Sequence, residues 1–219
     1  MPPPSRRNLG LYALTLCALA LIPMQAQANA LDNLEAFLRS VKSGRTEFNQ
    51  VVTLPARQDQ AARQRRSSGT FEFLRPGKFR FVYRKPFEQI IVADGTTLWL
   101  YDVDLNQVTA RSQSQALGST PAALVAAAPG LKALQEHFQL SNASERDGLQ
   151  WVLAVPTSRE GQIQQVLIGL RGTELAVLEI TDSFGQRSVL SFTRFEANPA
   201  LATDTFAFKP PPQADVVRQ

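Results

Sequence analysis

Residues 69–108 read GTFEFLRPGKFRFVYRKPFEQIIVADGTTLWLYDVDLNQV, and this run restricts the possible folds more than any other part of the chain. It alternates apolar and polar residues with period two, the signature of half-buried β-strands. Phe71, Phe73 and Arg75 fall on one face of the first strand, and Phe79, Phe81 and Tyr83 on one face of the second. The connections are too short for crossovers. Arg75-Pro76-Gly77-Lys78 carries Pro and Gly where a type II turn takes them, and Asp94-Gly95 suits a tight hairpin. Strands over 86–93, 98–103 and 107–111 complete the series. Neighbouring strands joined this tightly must pair antiparallel.

The flanking sequence extends the pattern. Leu31, Leu34, Phe37, Leu38 and Val41 have helical spacing, which predicts a helix over 31–42 stopped by Gly44. A strand is predicted over 45–54. Residues 55–68 are polar, rich in Arg and Gln and free of aromatics, and read as a long hairpin loop. Its Arg57, Arg63, Arg65 and Arg66 suit either a solvated tip or a contact with an acidic partner or headgroups. Thr120-Pro121 opens a second helix through Ala122, Leu124, Val125 and Ala128, and Pro129-Gly130 breaks it. A short helix over 131–138 follows. Strand character returns at 151–155, 164–170, 174–181 and 187–195, and the tail 206–212 is extended. About eleven strands in an antiparallel meander curl into a barrel or half-barrel. The helices are the elements available to cover its concave face.

Arg6 and Arg7, an apolar run over 9–22 and the small-x-small sites Ala26-Gln27-Ala28 and Ala28-Asn29-Ala30 read as a cleaved secretory signal over residues 1–30. The run is short for a membrane span, which needs about 20 residues. The remainder, 31–219, reads as a single domain. Leu16 before Cys17 is too large for a lipoprotein cleavage site, so the mature chain is expected without a lipid anchor. It then holds no cysteine, hence no disulfide and no thiolate nucleophile. The whole chain has 23 basic and 19 acidic residues; without Arg6 and Arg7 the balance is 21 against 19, too even to argue for nucleic acid.

Enzyme chemistry finds little support. His137 is the only histidine, so a histidine-dependent triad or metal cluster has a single candidate, and its place near the apolar insert suits a capping or solvent-facing role. Asp94, Asp102 and Asp104 lie close together, but each is explained by a turn. No catalytic residue, metal site or cofactor is expected. The stripes of Phe71, Phe73, Phe79, Phe81 and Trp99 suit either a packed core or an apolar pocket. Two features favour the pocket: Arg75 continues the Phe71–Phe73 face, and the insert is apolar on nearly every side, so it must lie against another apolar surface.

The chain resembles the LolA-type outer-membrane lipoprotein carrier proteins of Gram-negative bacteria. The matching pieces are Gly69-x-Phe71, Arg75-Pro76-x-x-Phe79, Pro86 with Gln89 and Ile91, Asp94-Gly95-x-x-Leu98-Trp99-x-Tyr101, Gln107-Val108, Thr120-Pro121, Asp182-x-x-Gly185-x-Arg187 and the Phe206-x-Phe208-x-Pro210-Pro211 tail. The resemblance implies a mainly β protein with α elements, an unclosed antiparallel β-barrel whose helical lid covers an apolar cavity. It implies a monomeric periplasmic carrier. Such a carrier accepts acylated lipoproteins from an inner-membrane ABC transporter and delivers them to an outer-membrane receptor. The family's lid-bonding arginine falls on Arg75, and Phe71, Phe73, Phe79, Phe81, Trp99, Leu124 and Val125 would line the acyl and lid site. Relatives with this fold carry other lipids, so a phospholipid or glycolipid carrier or sensor is the alternative.

Overall fold

Helix α1 (Ala30–Ser40) starts where the Asn29 side chain accepts a hydrogen bond from Asp32 N and stops where Val41 turns extended. The structure, a computed structural model, describes residues 29–56, 61–116, 128–158 and 161–219. From α1 the chain enters β1 (Ser43–Leu54), then β2 (Arg63–Leu74), β3 (Lys78–Lys85), β4 (Gln89–Ala93), β5 (Thr97–Asp102) and β6 (Gln107–Ser112). Short helices α2 (Gln113–Ala116) and α3 (Leu131–Gln135) lead to β7 (Phe138–Arg146), β8 (Leu149–Pro156), β9 (Ile163–Arg171), β10 (Glu174–Asp182), β11 (Arg187–Ala197) and β12 (Asp215–Arg218).

These twelve strands form one sheet in the order β12-β6-β5-β4-β3-β2-β1-β11-β10-β9-β8-β7. The pairing is antiparallel throughout except between β12 and β6, which run parallel. β12 and β7 stand at the two edges, so the barrel is unclosed. Helix α1 lies across β7, β8 and β9 and buries Leu34, Phe37 and Leu38. Its first turn is pinned by Leu31 N donating to Asn142 Oδ1 at 3.0 Å and by Asn33 Nδ2 donating to Gln150 Oε1.

Four readings of the sequence change. The polar stretch 55–68 is not all loop: β2 begins at Arg63 and pairs with β1 from Leu54 onward. A strand that faces water satisfies its backbone by pairing and needs no apolar alternation, so the Arg-Gln-Ser run hid it. The same reason hid β7, whose sequence FQLSNASER pairs along β8. The predicted helix 131–138 ends at Gln135, and Phe138 already belongs to β7. The last residues form β12, laid against β6 by side chains and backbone that a tail rich in proline did not advertise.

Gly69 has a steric cause. A Cβ there would lie 1.9 Å from the Val82 carbonyl oxygen, at the register shift between Ser68 and Gly69 where β2 crosses to β3. Strand propensity alone favours Ala over Gly. Gly69→Ala is nevertheless expected to destabilise by about 1–3 kcal/mol, as overpacking does, and urea unfolding checks the sign.

Asp94 closes the β4–β5 turn. Partial burial pushes its carboxyl up, but hydrogen bonds from Thr97 N, the Trp99 indole, Thr96 N and the Thr96 hydroxyl outweigh this and hold it at about 2, below the ordinary 3.8. A carboxyl depressed in the folded state stabilises fully above its unfolded pKa and loses that contribution as pH falls through the folded one. Asp94→Asn should therefore flatten the stability profile between about pH 4 and pH 2 and lower stability at neutral pH, read as thermal midpoints across that range.

Candidate functional site

The alternation of β2 and β3 assembles one aromatic surface. Phe71 pairs with Phe81 and Phe73 with Phe79 across the two strands. The Phe71 and Phe81 rings stack at 4.1 Å. Phe48 of β1 meets Phe81 edge-on at 5.6 Å, and Phe192 of β11 lies 6.0 Å from Phe71. All join one cluster with Leu34, Phe37 and Leu38 of α1, Ala128 and Leu134. The concave face is therefore covered by helix α1 and the segment around Ala128, and its phenylalanines are buried.

Arg75 stands at the edge of this cluster and is itself buried. Its guanidinium lies 5.0 Å from the Phe73 ring centroid and 5.1 Å from that of Phe37, so it is held between the sheet and α1. Arg75 Nε donates to Val41 O at 2.8 Å, and Nη1 donates to Ala128 O at 2.5 Å. Its own backbone N–H donates to Lys42 O at 2.8 Å. One side chain thus ties β2 to the end of α1 and to the residue that follows 117–127. Burial lowers its pKa to about 10, which leaves it charged at neutral pH.

Phe71, Phe73, Phe79, Phe81 and Arg75 are thus brought together. Trp99 is not. Its neighbour Leu98 joins the concave cluster, so period two turns Trp99 to the opposite face. There it packs at 5.5 Å on Phe208 of the C-terminal tail and donates its indole N–H to Asp94. Leu124 and Val125, with the Thr120-Pro121 helix start, lie outside the described residues. The sequence reading missed Phe37, Phe48 and Phe192. Phe37 was visible on the apolar stripe of α1 and Phe48 sits on an alternating strand, but nothing local says that they face Phe73 and Phe81.

Beyond the covered part, the concave face opens into a groove of about 910 Å³ lined by Gln50, Ser67, Tyr83 and Gln89, with Arg65 and Phe87 at its rim. Tyr83 packs against the aromatic cluster, and burial pushes its hydroxyl up to about 12. Arg75 and Arg65 sit ten positions apart along the chain, so Arg75 and the groove mouth lie at opposite ends of the sheet, about 33 Å apart at strand rise. His137 is exposed. Among the described residues no group of three or more His, Cys, Asp or Glu is placed to hold a metal ion.

The profile of the family described as "Outer membrane lipoprotein carrier protein LolA" matches residues 39–209. The chain belongs to this family. It is 61% identical over 212 residues to the outer-membrane lipoprotein carrier protein of Albidiferax ferrireducens, a match that covers 95% of this chain and 99% of that one. A protein of the same name from Leptothrix cholodnii is 52% identical over 98% of both chains. That from Methylibium petroleiphilum is 50% identical over 93% of this chain and 97% of its own. Among the described residues no helix is long and apolar enough to cross a membrane.

Arg75→Met keeps the stem but leaves the Val41 and Ala128 carbonyls without this donor. A loss of about 2–3 kcal/mol is expected from bonds made by a charged group. Amide exchange should quicken first around residues 128–134, while the β8–β10 core keeps its protection.

Proposed function

We propose that this chain is a periplasmic, non-enzymatic carrier of lipoproteins. It takes the acyl chains of its cargo from an inner-membrane ABC transporter and releases them to an outer-membrane receptor. The family membership supports the carrier role, and the secretory signal read in residues 1–30 supports the compartment. The observation that carries the mechanism is Arg75, a buried cation bridging the sheet to both elements that cover the aromatic face.

Acyl burial gains about 0.8 kcal/mol per CH₂, so a single long chain in an open apolar trough would be held too tightly to leave. Here the trough is filled when empty. Cargo must lift α1 and the segment around Ala128 from the phenylalanines, and the energy of those lost contacts is subtracted from the acyl gain. The apparent affinity falls by the fraction of molecules that are open. Arg75 sets that fraction. Its bonds exist in the closed state and hold the covering elements down; an open molecule must hydrate or re-pair the guanidinium. Closure after delivery restores the bonds and resists reloading. Phe71, Phe73, Phe79 and Phe81 supply the surface that acyl carbons exchange for the covering side chains.

The test is recovery of the protein from periplasm, loaded, with its cargo identified by mass spectrometry. Tri-acylated lipoprotein is expected. Free phospholipid or glycolipid in its place would reassign the cargo. Arg75→Leu should load equally but discharge to the receptor at least about tenfold more slowly, since each charge-assisted bond removed is worth about 1.5–3 kcal/mol. Discharge at the wild-type rate would remove Arg75 from the latch.

A further inference from the structure

Strand polarity brings five strand connections to one end of the sheet, the β8–β9 connection among them, since Ile163 pairs with Asp182. Leu54 pairs with Arg63, Ser68 with Lys85, Gln89 with Asp102 and Thr53 with Arg187. The β1–β2, β3–β4, β5–β6, β8–β9 and β10–β11 connections therefore all leave the end that holds the groove mouth. Three of these loops carry a large apolar residue at the tip. Phe87 is 70% exposed, Leu105 71% and Phe184 69%; every other exposed large apolar side chain among the described residues is at 37%. Loop tips ordinarily carry polar residues, and single exposed apolar groups need no account, but three at one end form a pattern.

The basic residues of this end are also ordered. Arg63, Arg65 and Arg66 lie exposed on the β2 half of the β1–β2 arm, with no acid between residues 61 and 71. Arg84 and Lys85 are exposed on the neighbouring β3. The arm separates Phe87 and Leu105 on one side from Phe184 on the other, since β1 and β2 stand between β3 and β11 in the sheet. Of the acids at this end, Asp102 accepts from Leu105 N and Asp182 from Phe184 N and Gln186 N. These two carboxylates hold the apolar tips in place. Glu88 and Asp104 line the groove together with Arg65 and Arg66, Asp215 begins β12, and Asp59, with Arg57, belongs to the β1–β2 connection outside the described residues.

We propose that this end of the barrel docks on an anionic lipid bilayer, with Phe87, Leu105 and Phe184 dipping into the headgroup–acyl boundary and the Arg63–Arg65–Arg66 arm lying against lipid phosphates. A cationic arm between apolar tips matches a surface that is charged outside and apolar a few ångströms below. A soluble acidic protein would pair with the arginines but gives no reason for three apolar tips. Docking in this pose turns the groove mouth toward the bilayer. The inference concerns the surface the protein rests on and stands whatever cargo it carries.

Co-sedimentation of the purified protein with vesicles of phosphatidylcholine, alone or mixed with phosphatidylglycerol, tests it. Retention on the anionic vesicles is expected, weakening as salt is raised. Phe87→Ser/Leu105→Ser/Phe184→Ser should lower it by at least about tenfold, from the apolar insertion lost. Arg63→Gln/Arg65→Gln/Arg66→Gln should do the same through charge. All six side chains are exposed, so thermal midpoints should match the wild type. Leu74→Ser, at the opposite end, should leave retention unchanged. Failure of the wild type to bind protein-free anionic vesicles overturns the proposal, including the case where it binds only membranes that carry proteins. Equal loss from Leu74→Ser overturns the orientation. Neither result bears on whether lipoprotein is the cargo.

Discussion

A buried guanidinium between two phenylalanine rings is the interaction on which the rest of this architecture turns. Arginine keeps its charge in nearly any surroundings, so burying Arg75 obliges the protein to bring acceptors to it. The acceptors are backbone carbonyls of Val41 and Ala128, which belong to the two elements that close the concave face. The requirement of one side chain thus dictates where the covering elements rest. A neutral residue here would let them pack by apolar contact alone, which is non-directional and grades smoothly with sliding. Hydrogen bonds to fixed carbonyls give a closed position with a definite geometry.

The aromatic face and its cover are two halves of one balance. Rings contributed by four strands and α1 touch one another at 4.1–6.5 Å, in stacked and edge-to-face pairs that suit a dry interior. Such a surface cannot stay exposed on its own, and the unclosed sheet leaves no second layer of strands to face it. The opposite face is sealed separately. The C-terminal tail lays Phe208 over Trp99 and Tyr101 and offers Thr205 O to Arg80 at 3.2 Å. Glu179, buried on that side, is flanked by Arg146 and Arg187 at 2.9 Å each. Both faces of the sheet are thus covered. The concave cover has polar anchors at both ends of α1, to Asn142 and Gln150 at its start and to Asn198 at its end, and Arg75 is the side chain that bonds both α1's end and Ala128.

The sequence carried the sheet because its strands announce themselves where one face is buried: Phe71–Phe73 and Phe79–Phe81 need no other reading. It carried Arg75 for the same reason, as a charge in an apolar register. It lost strands that face water, because Arg63–Leu74 begins and Phe138–Arg146 continues in residues that pair through backbone alone. Trp99 shows the other limit. Its alternation with Leu98 was plain, but which of the two faces the cavity depends on how β4 and β5 hang from β3, and that is settled by pairing across the sheet. Likewise the tips at Phe87, Leu105 and Phe184 are unremarkable one by one; strand direction alone makes them neighbours.

The sheet order has a bearing on how the chain reaches this state. Strands β1–β6 follow one another as neighbours, and so do β7–β11, so each flank is stitched from contacts close in sequence. Two long-range seams complete the sheet: the edge strand β12 against β6 and, longest of all, β1 against β11, which joins Gly44 to Ala197. Ordering the β1–β11 seam costs the entropy of closing a loop through most of the chain, while each meander costs little. The two flanks are therefore the natural early units, and the seam is the step whose closure sets the pace. The seam is also where Thr46 Oγ1 reaches across to Thr193 O at 2.7 Å, beside the one register shift between these strands. The aromatic trough exists only once it has closed, since Phe48 and Phe192 stand on its two sides.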